Sequence, residues 1–212
     1  MMPMNTDKQR SEPSEFYDLL LSRRSIRRYQ SRPVHRELLE RILTAAIWAP
    51  SAHNRQPWRF AVVEGERCKT RLAQAMGDRL RHDLQADGAP PDMIEKDVSR
   101  SFARISRAPA LVLLCLSMSD MDQYPDGKRQ RNEWIMAAQS AAMAGQNLLL
   151  AAHAEGLGAC WMCAPLFCPD VVVSTLSLPE DWEPQGLITL GYVDETREKT
   201  RVPLSSRVIF DG

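Results

Sequence analysis

Apolar positions along this chain alternate between helical and strand-like periods. Phe16, Leu19 and Leu20 recur at helical spacing and predict a short helix leading into an arginine-rich stretch at 22–28. Pro33 opens a second predicted helix, in which Leu38, Leu39, Ile42, Leu43 and Ala46 form an apolar stripe that Pro50 ends. Trp58–Val63 reads as a strand closing at the Glu64-Gly65 turn. A helix over about 67–80 follows. Residues 81–107 are strongly charged and broken by Gly88 and Pro90-Pro91, which predicts a mobile or helical excursion over the body. Ala110–Leu116 is continuously apolar, as expected of a strand buried on both faces. Residues 131–153 make the longest helix candidate, small-sided at Ala137, Ser140, Ala141, Ala144 and Gly145 and so open to close approach by a partner helix. Gly156-Leu157-Gly158 ends it and introduces the apolar Cys160-Trp161-Met162-Cys163. Pro169–Leu176 predicts a short helix and 186–192 a last core strand, followed by a polar tail ending in Val208-Ile209-Phe210.

With 212 residues and no internal repeat or linker, the chain suits one domain with a sizeable core over 15–212. Residues 1–14 read as a disordered lead-in without the apolar core of a signal peptide, and an arm begins at about 195. Lys+Arg and Asp+Glu number 27 each, so no overall field attracts nucleic acid or a membrane surface. No apolar run approaches the roughly 20 residues of a membrane span. Five cysteines, an odd number in a chain this long, do not read as a disulfide framework, and a reduced, cytoplasmic setting is expected.

Two segments carry candidate chemistry. Arg23-Arg24-Ser25-Ile26-Arg27-Arg28 concentrates guanidinium groups, whose forked donors match phosphate oxygens. The alternative is a solvated basic helix end. Pro50-Ser51-Ala52-His53-Asn54-Arg55-Gln56-Pro57 places two carboxamides one residue apart, and an extended backbone would aim both at one flat, polar-edged ligand. They are otherwise ordinary turn residues. His53, in the same loop, could polarise a substrate or be an exposed loop histidine. Cys160-x-x-Cys163, with Cys168 beyond and His153 as a conceivable fourth ligand, lacks the second ligand pair of a structural zinc site and reads as thiols in an apolar strand. No metal is expected, and no nucleophile motif such as G-x-S-x-G is present.

The ordered set of Arg23-Arg24-Ser25-Ile26-Arg27, the Pro50-Ser51-x-x-Asn54-x-Gln56-Pro57-Trp58 loop, Gly156-Leu157-Gly158-Ala159-Cys160-Trp161-Met162 and Leu190-Gly191-Tyr192 resembles the FMN-dependent nitroreductases over about 15–205. Trp48-Ala49-Pro50 and Asp181-Trp182-Glu183-Pro184-Gln185-Gly186 also look like the flavin domain attached to coenzyme F420 glutamyl ligase. The resemblance implies an α+β fold: a mostly antiparallel sheet flanked by helices, a domain-exchanged C-terminal arm, and a homodimer with two FMN molecules at its interface. It implies cofactor contacts from Arg23, Arg24, Ser25 and Arg27 to the phosphate and pyrimidine side. Pro50, Ser51, Ala52, Asn54 and Gln56 would come from the other subunit. Trp161, Met162 and Cys163 would lie near the flavin N5 atom, and Lys199 and Arg201 would reach the phosphate. Ala52 stands where many members carry a second serine, and Cys163-Ala164-Pro165 where many carry a glycine.

The implied activity is an FMN-dependent oxidoreductase that takes a hydride from NADH or NADPH and passes electrons to a nitroaromatic, quinone or similar planar acceptor, in ping-pong turnover. The flavin carries the chemistry, and Arg24 and Arg27 would stabilise its reduced, anionic form. Flavin-fragmenting oxygenase, reductive dehalogenase, F420-linked reductase and a non-catalytic FMN-binding domain are the alternatives.

Overall fold

Ala110–Leu116 is buried at every position, because it lies in the middle of a sheet with helices on both faces. In the computed structural model, which describes residues 13–211, this strand is β2. It pairs with β1 (Trp58–Val63) on one side and β4 (Glu183–Tyr192) on the other, and β3 (Leu157–Met162) pairs with β4. The order is therefore β1-β2-β4-β3, antiparallel throughout. The helices are α1 (Pro13–Ser22), α2 (Arg36–Ala46), α3 (Glu66–Ala86), α4 (Pro91–Ser106), α5 (Gly127–Ala154) and α6 (Pro169–Leu176). This is the expected α+β architecture. The lead-in at 1–14 lies outside the described residues except for Pro13 and Ser14, which open α1.

Strand alternation sorts the core into two layers. Leu111, Leu113, Leu187 and Met162 face α3, Ile105 of α4 and Val172 of α6. Val112, Ile188, Leu190 and Ala159 face α2 and Leu148 of α5, while Leu114 meets Ala141 and Ala144 further along α5. The small residues of α5 thus let its backbone approach the sheet.

Two helix starts need correction. Helix α2 begins at Arg36 and not at Pro33, because His35 stays extended (φ −66°, ψ 142°) while Val34 is buried in the core. Helix α5 begins at Gly127, four residues early, where the Asp126 carboxylate caps it by accepting the Arg129 N–H at 2.9 Å. Of the two forms expected for residues 81–107, the chain takes the helical one. Helix α3 runs on to Ala86, Gly88 turns the chain at φ +73°, and Pro91 opens α4, which buries Ile94, Val98 and Ile105. Most charges of this hairpin are exposed or half-buried, but Lys69 of α3 is buried and donates to Ala108 O at 2.6 Å.

Between α1 and α2 the chain crosses the β3–β4 end of the sheet. Ile26 N–H donates to Ala159 O (3.0 Å), Gln30 N–H to Tyr192 O (2.9 Å), and Asp194 N–H to Arg28 O (3.2 Å). Gly158 and Gly191 pair directly in register. A Cβ on Gly158 would fall 2.7 Å from the Ile26 Cβ, and one on Gly191 would fall 2.9 Å from the Tyr29 Cβ. Two facing glycines therefore form the slot that seats the arginine segment.

Candidate functional site

The crossover presents its guanidinium groups along β3. Arg23, Arg24 and Arg27 are each half-buried. Burial pulls the Arg23 pKa below the ordinary arginine value, and the charges of Arg201 and Arg24 add to the shift, so the tail brings Arg201 beside Arg23. Arg24 Nη1 donates to Arg23 O at 2.9 Å, yet its Nε is buried without a partner. The nearest polar contact of the Arg27 side chain is a long bond to Ser25 O at 3.4 Å. Among the described residues, Arg23, Arg24, Arg27, Lys199 and Arg201 form no ion pair with a carboxylate. Strong donors held this way, one of them orphaned, fit a phosphorylated ligand. Lys199 lies exposed on the tail.

The acid that shapes this segment is Glu195. Its Oε1 accepts the Arg27 N–H at 2.6 Å and the Arg28 N–H at 3.2 Å, and its Oε2 accepts Arg197 Nε at 2.9 Å. Burial pushes the Glu195 pKa up, but the Arg197 bond and the two backbone donors outweigh it, leaving the carboxyl below its ordinary value. A lone glutamate on a polar tail gives no sign of this in sequence. On the other side of the crossover, Ser22 Oγ lies 2.9 Å from His153 Nε2. Burial, then Arg23 and Arg24, lowers the His153 pKa.

The 50–57 loop is built differently from expectation. His53, Asn54 and Gln56 take left-handed conformations (φ 50°, 54° and 52°), so the two carboxamides do not stand on an extended backbone. They still meet, because Gln56 Nε2 donates to Asn54 Oδ1 at 3.3 Å. Ser51 Oγ is committed to the Gln56 N–H (3.1 Å), the Ala52 N–H donates to Ser140 Oγ (3.3 Å), and Arg55 pairs with Asp122. Three such residues in one short loop store strain of about 1–3 kcal/mol each, a feature that concentrates at functional sites. His53, Asn54 and Gln56 are exposed, as is Pro50, whereas Ser51 and Ala52 are half-buried.

In one chain this loop and the arginine segment do not meet across a single pocket. The loop leads into β1 and the arginines line β3, which are opposite edges of the sheet. Three strand spacings, roughly 14 Å, separate them.

Trp161 is half-buried. Its indole fills the gap over Gly145 and Gly186, where an added Cβ would fall 2.1 and 2.5 Å from ring atoms. It therefore packs on the α5 face, while Cys160 and Met162 point to the arginine face. Cys160 is buried, and burial raises its pKa against the lowering effect of Arg27, Arg104 and Arg23. Cys163 is exposed beside a cavity of about 300 Å³ lined by Arg27, Arg104 and residues 160–164. Arg104 of α4 was not singled out by sequence; its spacing from Arg100 and Arg107 is the signal that could have found it. Among the described residues no three His, Cys, Asp or Glu side chains cluster to hold a metal ion.

Residues 20–192 match the model of the nitroreductase family. A protein of Methanothermobacter thermautotrophicus named as an NADH dehydrogenase/NAD(P)H nitroreductase is 33% identical over 182 residues, covering 84% of this chain and 77% of that protein. Iodotyrosine deiodinase of Haliscomenobacter hydrossis is 29% identical over 198 residues, covering 87% and 82%. A nitroreductase from Desulfovibrio desulfuricans, solved in complex with FMN, superposes with a TM-score of 0.72 at 26% identity, covering 96% of this chain and 99% of that one. An antiparallel sheet crossed by an arginine segment, and a match over most of its length, make this chain a member of the nitroreductase family.

Proposed function

We propose that this chain transfers electrons from NADH or NADPH to a nitroaromatic, quinone or similar planar acceptor through bound FMN, working as a homodimer. That it is a flavin-dependent oxidoreductase follows from its family; the donor, the acceptor and the residue roles are the proposal. The observation that carries it is the crossover at β3, where Arg23, Arg24 and Arg27 lie close in the chain without carboxylate partners and Arg24 Nε is left buried and unsatisfied.

The donor set fits FMN. Arg23, Arg24 and Ser25, with Lys199 and Arg201 from the tail, would hold the phosphate. Arg27 would lie at the pyrimidine side, with Met162 and Cys163 beside the ring. Held there, FMN would supply the two-electron redox chemistry between a reduced nicotinamide and the acceptor. The protein's own work would be placement and charge: the guanidinium of Arg27 would favour negative charge on a ring held beside it. Pro50, Ser51, Ala52, Asn54 and Gln56 would come from the other subunit, His53 facing the acceptor. The separation of the loop from the arginines within one chain supports this two-chain site. So does apolar surface left bare in one chain: Trp48 is 81% exposed, and Phe167, Ile209 and Phe210 are also exposed. The apolar end of the tail is read as an arm that packs on the partner. No helix among the described residues is long and apolar enough to cross a membrane.

The visible spectrum before and after anaerobic addition of NADH and of NADPH tests this reading. Flavin bands that bleach with a nicotinamide and return with a quinone support it. A colourless protein that cannot be reconstituted with FMN overturns it. The deiodinase relative favours one second reading, reductive dehalogenation, for which iodide release from iodotyrosine by the reduced protein is the assay.

A further inference from the structure

Six arginines surround a second cavity, of about 470 Å³, that shares wall residues with the one next to Cys163: Arg27 and Arg28 from the crossover, Arg100 and Arg104 from α4, Arg107 at the C-cap of α4, and Arg197 from the segment after β4. Arg100, Arg104 and Arg107 sit at i, i+4 and i+7 and so share one helix face. That face is not the packing face, which is formed by Ile94, Val98 and Ile105. Acidic compensation is partial. Asp194 also lines the cavity, Asp97 pairs with Arg100 at 2.6 Å, and Glu195 pairs with Arg197 at 2.8 Å. Among the described residues Arg27, Arg28, Arg104 and Arg107 have no carboxylate partner. Arg104 is half-buried; burial lowers its pKa, and the positive charges of Arg27, Arg100 and Arg197 lower it further. Like charges brought together at a partly desolvated site repel, and an anion relieves the repulsion.

We infer that this basin is a subsite for a phosphate monoester carried by the redox partner, distinct from the seat of the FMN phosphate. Guanidinium forks arriving from three chain segments suit a tetrahedral dianion with three free oxygens, whereas a carboxylate is satisfied by a single fork. Arg201, assigned to the FMN phosphate, lies beside Arg23 and does not line the basin. Arg27, Arg100 and Arg104 line both this basin and the cavity along 160–164, so the two spaces share a wall. A planar group over the flavin and a phosphate in the basin therefore belong to one molecule. The inference rests on the proposed function for the identity of the neighbouring ring. The phosphate comes from one of two sources, the ribose 2′-phosphate of NADPH or a phosphorylated acceptor.

Calorimetric titration of the FMN-loaded protein with 2′-AMP, inorganic phosphate and adenosine tests the subsite. Expected is 2′-AMP binding at least about tenfold tighter than adenosine, with no release of flavin fluorescence, and a loss of about tenfold or more in Arg107→Ala and Arg104→Ala. Arg107→Lys should retain part of the affinity. A higher kcat/KM for NADPH than NADH with an uncharged quinone, equalised in Arg107→Ala mainly through KM for NADPH, assigns the phosphate to the donor. Equal use of both donors with 2′-AMP or phosphate still bound assigns it to the acceptor. Absence of binding by both anions overturns the subsite, and so does anion binding that expels FMN, which would make the basin the cofactor's own. A protein that takes up no FMN removes the proposed function instead, and the same titration on it still decides whether the basin binds phosphate.

Discussion

Glu195 Oε1 accepts the backbone N–H of Arg27 at 2.6 Å, so an acid from the tail fixes the main chain that carries the arginines. The carboxylate is nearly buried (9% side-chain exposure) and also takes Arg28 N–H and Arg197 Nε. Removing it leaves two backbone donors unpaired. Glu195→Ala should lose about 1–3 kcal/mol in urea denaturation and hold FMN more weakly. Full stability together with full flavin retention would show that the crossover does not depend on this acid.

Gly158 faces Gly191 under the crossover, and the Ile26 Cβ occupies the space a Gly158 side chain would need, at 2.7 Å. Gly158→Ala should therefore destabilise the fold by about 1–3 kcal/mol and reduce flavin content. Because the clash is with Cβ, adding Ile26→Ala should not restore either property. A neutral Gly158→Ala would mean that the segment shifts freely.

Arg27 and Gln56 lie at opposite edges of the sheet, and the two-chain site predicts complementation between them. Arg27→Ala and Gln56→Ala should each bind FMN poorly as homodimers. Mixed and refolded together, they form hybrid dimers in which one of the two sites is intact. Flavin content and quinone reduction should then rise above either parent. Failure of the mixture to exceed its parents would place both residues in the site of one chain.

Trp161 fills the gap above Gly145 and Gly186. Trp161→Ala should cost about 3 kcal/mol of stability, read from the urea midpoint, and change KM for the acceptor less than kcat per bound flavin falls. A variant of wild-type stability with a large KM change would place the indole on the substrate side instead.

His153 is held by Ser22 Oγ among arginines, and its pKa is lowered in the folded state. The unfolded chain then binds a proton that the folded one refuses. Stability from this group is complete above the ordinary histidine value of about 6.5 and is lost as pH falls through that value toward the lower folded one. Urea midpoints at about pH 8 and about pH 5.5 should therefore differ more in the wild type than in His153→Gln. Equal pH sensitivity of the two proteins would show that the histidine is proton-neutral in folding.

Much of the fold was legible because its elements are written in local periodicity. The bounds of β1, β2 and α6 follow directly from apolar runs and their Pro or Gly ends, and Ala110–Leu116 is buried as its uninterrupted apolar character demands. Errors fell at helix starts, where Val34 burial and the Asp126 cap overrode the Pro33 and Arg131 signals. The arginine segment and the amide loop were also legible, since each is a compact run of residues with one chemistry.

What sequence alone determined is this inventory of strands, helices and two candidate ligand-binding segments. Tertiary structure decided their relation: that the two segments lie at opposite edges of one sheet, that Glu195 and Arg201 return to the crossover, and that Arg104 turns toward Arg27. It also packed the half-buried Trp161 against α5 and bent Asn54 and Gln56 into left-handed backbone. The physical reason is range. Periodicity reports which face of an element meets apolar surroundings, a property of neighbours three or four residues apart. Which partner fills that face depends on strand pairing and on the space left by glycines more than a hundred residues away, as at Ile26 and Gly158.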